Sequence, residues 1–216
     1  MKIERDIIFD PSLVLYLPFY KLDGSSFMSE DAYGHLCTIT GALWTPGGRS
    51  FDHSDDYLQV GDAPGFDFSD DFTMQFWVWL RSIDSTSQWL VSKGGGWSRK
   101  GFFTTVDTEI GLRFGMGNGS TEVKADNDAF SVREWHFISA LYEGTTMKVF
   151  QGCDQLPNTA SNNYDYVNNY PVRIGGSDGS NFFPLDGLIS EAWLYSRALK
   201  PAEIQHNYLA TKWRYK

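Results

Sequence analysis

The strongest pattern of apolar and polar positions lies in the middle of the chain, at residues 72–80. Side chains alternate between the two faces of a β-strand, so every second residue of this segment shares a face. Because both faces are largely apolar, the pattern predicts a central strand that is covered at least partly on each side. One face carries Phe72, Met74, Phe76, Val78 and Leu80, and the other carries Gln75, Trp77 and Trp79.

Shorter alternating segments occupy much of the remaining chain and are separated by turns rich in Gly, Asn and Asp. The dipeptide Glu143-Gly144 between two of these segments is a hairpin signal. Strands spaced about 8–12 residues apart with turns of this kind predict an all-β sandwich or barrel. The other predicted strands cover residues 13–20, 35–40, 49–52, 56–60, 89–93, 102–106, 110–116, 135–142, 146–150, 172–176 and 188–196.

A short helix is predicted after the last strand. Pro201 fits the first helical turn and Glu203 suits the dipole at the helix N-terminus, so the helix extends to about Leu209. A chain of 216 residues is long enough for one large β domain. We expect an N-terminal extension at residues 1–12, one sandwich domain at 13–210 and a C-terminal tail at 211–216.

The predicted terminal strand carries one acidic residue on an apolar face. Strict alternation places Glu191 beside Ile189, Trp193 and Tyr195. An unpaired carboxylate in such surroundings is costly, so Glu191 needs a partner. A calcium ion is the leading candidate, and a salt bridge or a hydrogen bond is the alternative.

Composition narrows the range of partners. The chain has 27 acidic and 18 basic residues and a net charge of −9. Phosphate binding requires a basic surface, so we expect no nucleic-acid partner. Acidic loops are compatible with calcium, which prefers oxygen ligands. The 8 Trp, 11 Tyr and 16 Phe supply a core and leave aromatic side chains for binding.

The termini and the cysteines indicate little about the compartment. The N-terminal residues carry charges where a secretory signal needs an apolar core, and no apolar run reaches membrane-span length. We expect no membrane partner, and we favour an extracellular or virion-surface location that is reached without a signal peptide. Cys37 and Cys153 are interpreted as two isolated buried thiols, with a disulfide as the alternative.

Four segments, in order, resemble one known family. They are residues 51–60, 72–78, 134–149 and 174–199, and the resemblance covers nearly all of residues 13–210. The family is the laminin-G-like domains of the concanavalin A-like lectin/glucanase superfamily, in the pentraxin-related branch common in bacterial and phage surface proteins. The resemblance implies a jelly-roll sandwich of two antiparallel sheets.

The same resemblance implies a calcium site between the first loop and the terminal strand. The family's Asp-x-x-Gly element is matched by Asp31-Ala-Tyr-Gly34, and its acidic strand position is matched by Glu191. The backbone carbonyl at or near Gly34 is a further oxygen ligand. The family usually has Asp or Asp-Glu where this chain has Ser190-Glu191, and fewer charges weaken a metal site.

An enzymatic function is not expected. Retaining glycosidases of this superfamily need two carboxylates about 5–5.5 Å apart, which on one strand requires acidic residues at alternate positions. The nearest match, Asp107-Thr-Glu109, lies beside a predicted turn and has no third member. His136 is interpreted as a packed residue. We therefore predict a protein that is neither a glycoside hydrolase nor a polysaccharide lyase.

We expect instead a module that recognises a glycan or a glycosylated surface through its loops. Exposed aromatic rings beside amide and charged groups suit the apolar faces of sugars. The candidate contacts are Trp97 with Arg99, and Tyr164 and Tyr166 among neighbouring asparagines. The alternative for each aromatic side chain is packing beneath its own loop.

A second hypothesis is a structural, decoration or adhesin protein of a phage particle. The sequence shows no secretion signal, and the predicted domain accounts for nearly all of it. An N-terminal arm with Ile7, Ile8 and Phe9 is suited to docking on other virion proteins. The two hypotheses are compatible, since a virion adhesin also binds its target.

Overall fold

Two antiparallel β-sheets form the protein. The computed structural model describes residues 7–68, 70–94, 100–127, 130–162, 167–178 and 182–215. The apolar core draws buried side chains from both sheets, and one short helix follows the last strand. The predicted jelly-roll sandwich with a C-terminal helix is confirmed. Within the described residues, no helix has the length and apolarity that a membrane span requires.

The first sheet has nine strands within the described residues. Its order is β14-β13-β12-β7-β17-β5-β4, with β1 paired to β17 and β15 paired to β13. The strands are β1 Leu13–Pro18, β4 Leu43–Thr45, β5 Gly48–Asp52, β7 Phe72–Leu80, β12 Trp135–Glu143, β13 Thr146–Gln151, β14 Asp154–Gln155, β15 Ala160–Ser161 and β17 Asp186–Tyr195.

The second sheet has eight strands in the same described part of the chain. Its order is β11-β10-β9-β8-β16-β6-β3-β2. The strands are β2 Ser26–Met28, β3 Leu36–Thr40, β6 Tyr57–Val60, β8 Gln88–Gly94, β9 Gly101–Asp107, β10 Gly111–Gly117, β11 Glu122–Asn127 and β16 Val172–Ile174.

Strand β7 lies at the centre of the nine-stranded sheet, as its two apolar faces predict. It pairs with β12 on one side and with β17 on the other. Its inner face enters the core between the sheets, and its outer face contributes Trp77 to a second apolar cluster. Glu143 and Gly144 form the predicted hairpin, in which Gly144 adopts a φ of 64°.

A β-bulge corrects the alternation predicted for the terminal strand. The register between β17 and β7 shifts between Ile189 and Glu191. Ile189 therefore joins Ala192 and Leu194 in the core, whereas Trp193 belongs to the outer cluster. An extra residue in one strand places every side chain before it on the opposite face of the sheet. The prediction that Ile189 shares a face with Glu191 was wrong for this reason.

The C-terminal helix covers the outer face of the nine-stranded sheet. Helix α1 spans Pro201–Thr211, and a 3₁₀ turn follows at Lys212–Arg214. The Glu203 carboxylate accepts a hydrogen bond from the backbone N–H of Lys200, which completes the helix start. The domain boundary expected at residue 210 falls inside this helix, and Tyr215 packs against the outer cluster.

A buried polar network fixes α1 to the sheet. The Asn207 amide nitrogen donates to Gln75 Oε1 at 2.7 Å and to the Tyr195 hydroxyl at 3.1 Å. Gln75 in turn donates to Ser139 Oγ at 2.8 Å. The N–H of Ile8 donates to Asn207 Oδ1 at 2.7 Å. The N-terminal arm thus binds its own domain, and Ile7 also packs against the outer cluster.

Candidate functional site

An open cleft lies beside α1 on the outer face of the nine-stranded sheet. We call it the aromatic cleft, and its volume is ≈ 370 Å³. The Trp77 and Tyr215 rings stack with their centroids 4.0 Å apart and their planes 26° apart. The ring centroids of Tyr208 and Trp77 lie 5.8 Å apart, and those of Trp135 and Tyr215 lie 4.9 Å apart. Five aromatic rings line the cleft: Trp77, Trp135, Phe137, Tyr208 and Tyr215.

Strand register and helix docking bring these rings together. Phe137 of β12 lies opposite Trp77 of β7, so the two side chains share the outer face. The Trp77 indole N–H donates to Thr211 Oγ1 at 2.8 Å, which fixes the ring against the end of α1. Tyr208 precedes Thr211 by three residues and therefore lies on nearly the same side of the helix.

Polar side chains also line the cleft. Exposed Asp154 and Lys212 belong to β14 and to the C-terminal turn, which comprises residues 212–215. Lys212 Nζ lies 5.2 Å from the Tyr208 ring centroid. Gln151 Nε2 lies 2.8 Å from His136 Nδ1. The cleft therefore offers apolar ring faces together with an amide, a carboxylate and an ammonium group.

His136 is a packed residue, as predicted. Its Nε2 lies 3.0 Å from the Ser131 carbonyl oxygen, and its ring lies 4.2 Å from that of Phe130. Burial lowers the pKa of His136, so the ring is neutral at pH 7. Asp107 forms a turn, because its Oδ1 accepts hydrogen bonds from the N–H groups of Glu109 and Ile110.

The fully buried Glu191 carboxylate has a cation and two hydroxyl groups as partners. Arg214 Nη1 donates to Oε1 at 2.7 Å, and the Tyr215 hydroxyl donates to the same oxygen at 2.5 Å. The Tyr16 hydroxyl lies 3.2 Å from Oε2. Burial raises the pKa of Glu191, while Arg214 and the hydroxyl groups act in the opposite direction. The salt bridge that the sequence left as the alternative to calcium is present.

The Asp31 carboxylate is also occupied. Its Oδ2 accepts a hydrogen bond from the N–H of Tyr16 at 3.0 Å. Its Oδ1 accepts from Tyr33 at 2.9 Å and from Gly34 at 3.1 Å. Asp31, Gly34 and Glu191 in this arrangement do not fit a calcium ion, because a guanidinium group and N–H donors hold the oxygens that the ion needs. The calcium site implied by the resemblance is untested, and the partners of these oxygens argue against it.

A different group of carboxylates lies close together at the β5–β6 corner. Oxygen atoms of Asp52, Asp55 and Asp56 lie within 4.8 Å of one another. Asp52 Oδ1 accepts from the N–H of Ser54, and Asp56 Oδ2 accepts from the N–H of Asp52. These bonds are those of turn-forming residues. Burial and then the charge of Asp52 raise the pKa of Asp56.

The predicted loop contacts Trp97, Arg99, Tyr164 and Tyr166 lie outside the described residues. Cys37 and Cys153 are free, as the favoured interpretation held, but only Cys37 is fully buried. Cys153 is half-buried and lines the aromatic cleft.

The family comparison agrees with this fold. A family model described as "Concanavalin A-like lectin/glucanases superfamily" matches residues 52–205. The chain belongs to this superfamily. No curated protein matches the sequence.

Several solved structures share the fold at low sequence identity. The binding domain of botulinum neurotoxin DC, solved with rat synaptotagmin II, has a TM-score of 0.74 at 11% identity, over 92% of this chain and 51% of that chain. A botulinum neurotoxin type C structure, described by its dependence on two ganglioside molecules for cell entry, has a TM-score of 0.74 at 10% identity, over 92% and 51%. Trypanosoma rangeli sialidase in complex with sialic acid has a TM-score of 0.74 at 16% identity, over 95% and 34%. The chain spans about half the length of the toxin domains.

Sequence reasoning missed the aromatic cleft. Trp135 lies at the start of a predicted strand with no predicted role, and Tyr215 lies in the predicted tail at residues 211–216. The available signal was the clustering of Tyr208, Trp213 and Tyr215 at the end of an acidic, mostly β chain. Such aromatic side chains need an apolar surface to cover, and the outer face of the central strand provides one.

Proposed function

We propose that the protein is a carbohydrate-binding module and that its aromatic cleft contacts a pyranose ring. The observation that supports this proposal is the combination of three half-buried aromatic rings, those of Trp135, Tyr208 and Tyr215, with an amide, a carboxylate and an ammonium group in one cleft. A pyranose presents an apolar C–H face that stacks on an aromatic ring, and hydroxyl groups that bind amide and charged side chains.

The size of the cleft supports the same proposal. Its volume of ≈ 370 Å³ lies at the lower end of the range usual for small-molecule sites, about 300–1,000 Å³. It therefore suits one or two sugar residues better than a long buried chain. The most exposed members of its lining are Asp154 and Lys212, which are placed to choose among hydroxyl patterns.

The structural neighbours support recognition as the general role. One of them is described by its interaction with gangliosides, and another was solved with sialic acid. These proteins are much longer than this chain and less than 20% identical to it, so their ligands guide the choice of probes only. A location outside the cell and a role on a virus particle stay predictions, and mass spectrometry of purified particles tests the latter.

We propose that binding occurs without cleavage. Glycoside hydrolysis requires two carboxyl groups across the scissile bond. Asp154 is the only acidic residue among the described residues that line the cleft. Incubation with the glycans that bind, followed by mass spectrometry, should return them intact. Hydrolysis that is lost in Asp154→Asn would overturn this part of the proposal.

A glycan array with paired variants tests the binding site. Trp135→Ala and Asp154→Asn should each weaken binding about tenfold or more, which is the loss of roughly 1.4 kcal/mol. Trp44→Ala is the matched control, because Trp44 is an exposed tryptophan of β4 that lies outside the cleft. Equal binding by the parent and Trp135→Ala, with both proteins folded, would reject the cleft as the site.

Cys153 supplies a second readout that does not depend on substitution. It lines the cleft, whereas Cys37 is buried and its pKa is raised by that burial to about 12. Alkylation by iodoacetamide should therefore reach Cys153 first. A bound glycan should slow this reaction in proportion to its occupancy. An unchanged rate at saturating glycan would place the ligand elsewhere on the protein.

A further inference from the structure

A second cleft lies on the other side of the C-terminal turn, over β1. Its volume is ≈ 320 Å³, and we call it the arginine cleft. Arg214 and Lys21 line it together with Tyr16, Tyr20 and Phe9. Within the described residues that line this cleft there are two cations and no carboxylate, although the whole chain has a net charge of −9. The lining of the arginine cleft is thus basic, and each of its two cations has one carboxylate partner behind or beside the cleft.

Arg214 is held in a fixed orientation at this cleft. Its Nη1 donates to the buried Glu191 carboxylate, and its guanidinium carbon lies 4.7 Å from the Tyr20 ring and 4.9 Å from the Trp213 ring. Only Nη1 of the guanidinium group has a hydrogen-bond partner in the described part of the chain. Stacking and the ion pair together orient the remaining N–H donors before any ligand arrives.

The carboxylates of Glu191 and Glu30 lie near the cleft, but they oppose the binding of an anion only weakly. Glu191 has no exposed surface, so it fixes Arg214 from behind without facing a ligand. Lys21 Nζ lies 3.1 Å from Glu30 Oε2, and both side chains are more than a third exposed to solvent. Solvent-exposed pairs of this kind contribute little, so Lys21 remains available to a second anion.

We propose that the arginine cleft binds the carboxylate of an acidic sugar. A carboxylate matches the planar guanidinium fork and accepts two parallel hydrogen bonds from it. Lys21 adds a point charge at the rim. Tyr20 and the exposed ring of Phe9 offer apolar faces to the sugar ring. This inference concerns separate side chains and does not rest on sugar binding in the aromatic cleft.

Titration calorimetry with glucuronate, glucose and inorganic sulfate tests the proposal. Glucuronate should bind, and glucose should bind at least about tenfold more weakly, because only glucuronate carries the carboxylate. Binding should weaken as salt is added, since Lys21 contributes through an exposed charge. Equal affinity for glucuronate and glucose would overturn the proposal. Inorganic sulfate binding as tightly as glucuronate would overturn the sugar component and leave only a general anion site.

Variants assign the binding to named side chains. Lys21→Gln should weaken glucuronate binding about threefold, and Arg214→Lys about tenfold, because lysine retains the charge but loses the fork. Lys148→Gln is the control, since Lys148 is a cation paired with Glu143 outside the cleft. If Arg214→Lys does not fold, exposed Lys21→Gln still decides the question. Unchanged affinity in Lys21→Gln and every folded Arg214 variant would reject the site.

Trp135→Ala separates the two clefts. It should leave glucuronate binding unchanged, because Trp135 lines only the aromatic cleft. A loss of glucuronate binding in Trp135→Ala together with unchanged binding in Lys21→Gln would place the acidic sugar in the aromatic cleft and overturn the assignment to Arg214.

Discussion

Two groups of carboxylates in this protein are held in opposite ways. Glu191 is a single, fully buried carboxylate that has Arg214 and two tyrosine hydroxyl groups as partners. At the β5–β6 corner, carboxylate oxygens of Asp52, Asp55 and Asp56 lie within 4.8 Å of one another. Backbone N–H groups donate hydrogen bonds to Asp52 and Asp56. The first group is balanced by a cation, and the second is held by turn geometry.

The two groups should therefore respond differently when one of their charges is removed. Removing a partner of Glu191 leaves a charge in an apolar cluster, so the effect on folding is large. Neutralising one carboxylate at the corner relieves repulsion from neighbours of which Asp52 and Asp55 are exposed and screened by water, so the effect is small. Each of the following expectations tests one side of this contrast.

The largest effect is expected for Arg214→Ala. This substitution leaves Glu191 buried without its cation, and such losses cost about 3 kcal/mol. Urea unfolding should show this decrease in the free energy of unfolding. Lys148→Ala is the matched control, because its exposed pair with Glu143 contributes about 0–1 kcal/mol. Equal losses in the two variants would show that Glu191 does not depend on Arg214.

Glu191→Gln should change the pH dependence of stability. Burial holds the pKa of Glu191 above its ordinary value of 4.5, so the folded state binds this proton more tightly than the unfolded state. Its contribution to the free energy of unfolding is therefore greatest at low pH and falls as pH rises above 4.5. The melting temperature of Glu191→Gln relative to the parent should rise from pH 4 to pH 8.

Glu203→Gln is the opposite control for that experiment. Hydrogen bonds from Arg197 lower the pKa of Glu203, so its contribution is present above 4.5 and is lost as pH falls through the folded pKa. The difference between this variant and the parent should widen as pH rises from 3 to 5 and then remain constant. A flat difference for Glu191→Gln across the whole range would contradict the assignment to Glu191.

Much of the fold was predictable because local pattern and tertiary role agree. The bounds predicted for the central strand, residues 72–80, are those of β7, since two apolar faces are unambiguous. Strands β2, β4, β11, β14 and β15 were not predicted. Four of them have only two or three residues, and such strands are defined by their partners and not by their own pattern. The six-residue β11 was missed because Val123 and Ala125 are its only apolar residues. The bulge at residue 190 was equally invisible, because apolar residues occupy both faces of this strand and no local signal marks the extra residue.

The candidate site was much less predictable. The aromatic cleft joins β7, β12 and the C-terminal turn, which lie far apart in sequence and meet only through sheet register and helix docking. Glu191 was correctly identified as needing a partner, but the partner Arg214 lies in a segment interpreted as a tail. Periodicity indicates that a buried charge must be paired, whereas only the fold identifies the group that pairs with it.

A small effect of the opposite sign is expected for Asp56→Asn. The amide oxygen can still accept the hydrogen bond from the N–H of Asp52, while the repulsion that helps to raise the pKa of Asp56 is removed. The free energy of unfolding at pH 7 should increase by about 0.5 kcal/mol. Asp55→Asn, at an exposed position, should give a smaller increase. A clear loss of stability in Asp56→Asn would show that the negative charge itself is needed at this corner.

The smallest effect is expected from calcium and its removal. If Arg214 is the partner of Glu191, neither added calcium nor EDTA should change the melting temperature of the parent, because an ion that binds only the folded state must raise it. A calcium-dependent increase that disappears in Glu191→Gln would mean that the ion displaces Arg214 from the terminal strand. An increase that survives in Glu191→Gln and disappears in Asp55→Asn would place the ion at the corner, where the carboxylates have no cation among the described residues. Either result would break the contrast between the two carboxylate groups, and the two variants together identify which side of it is wrong.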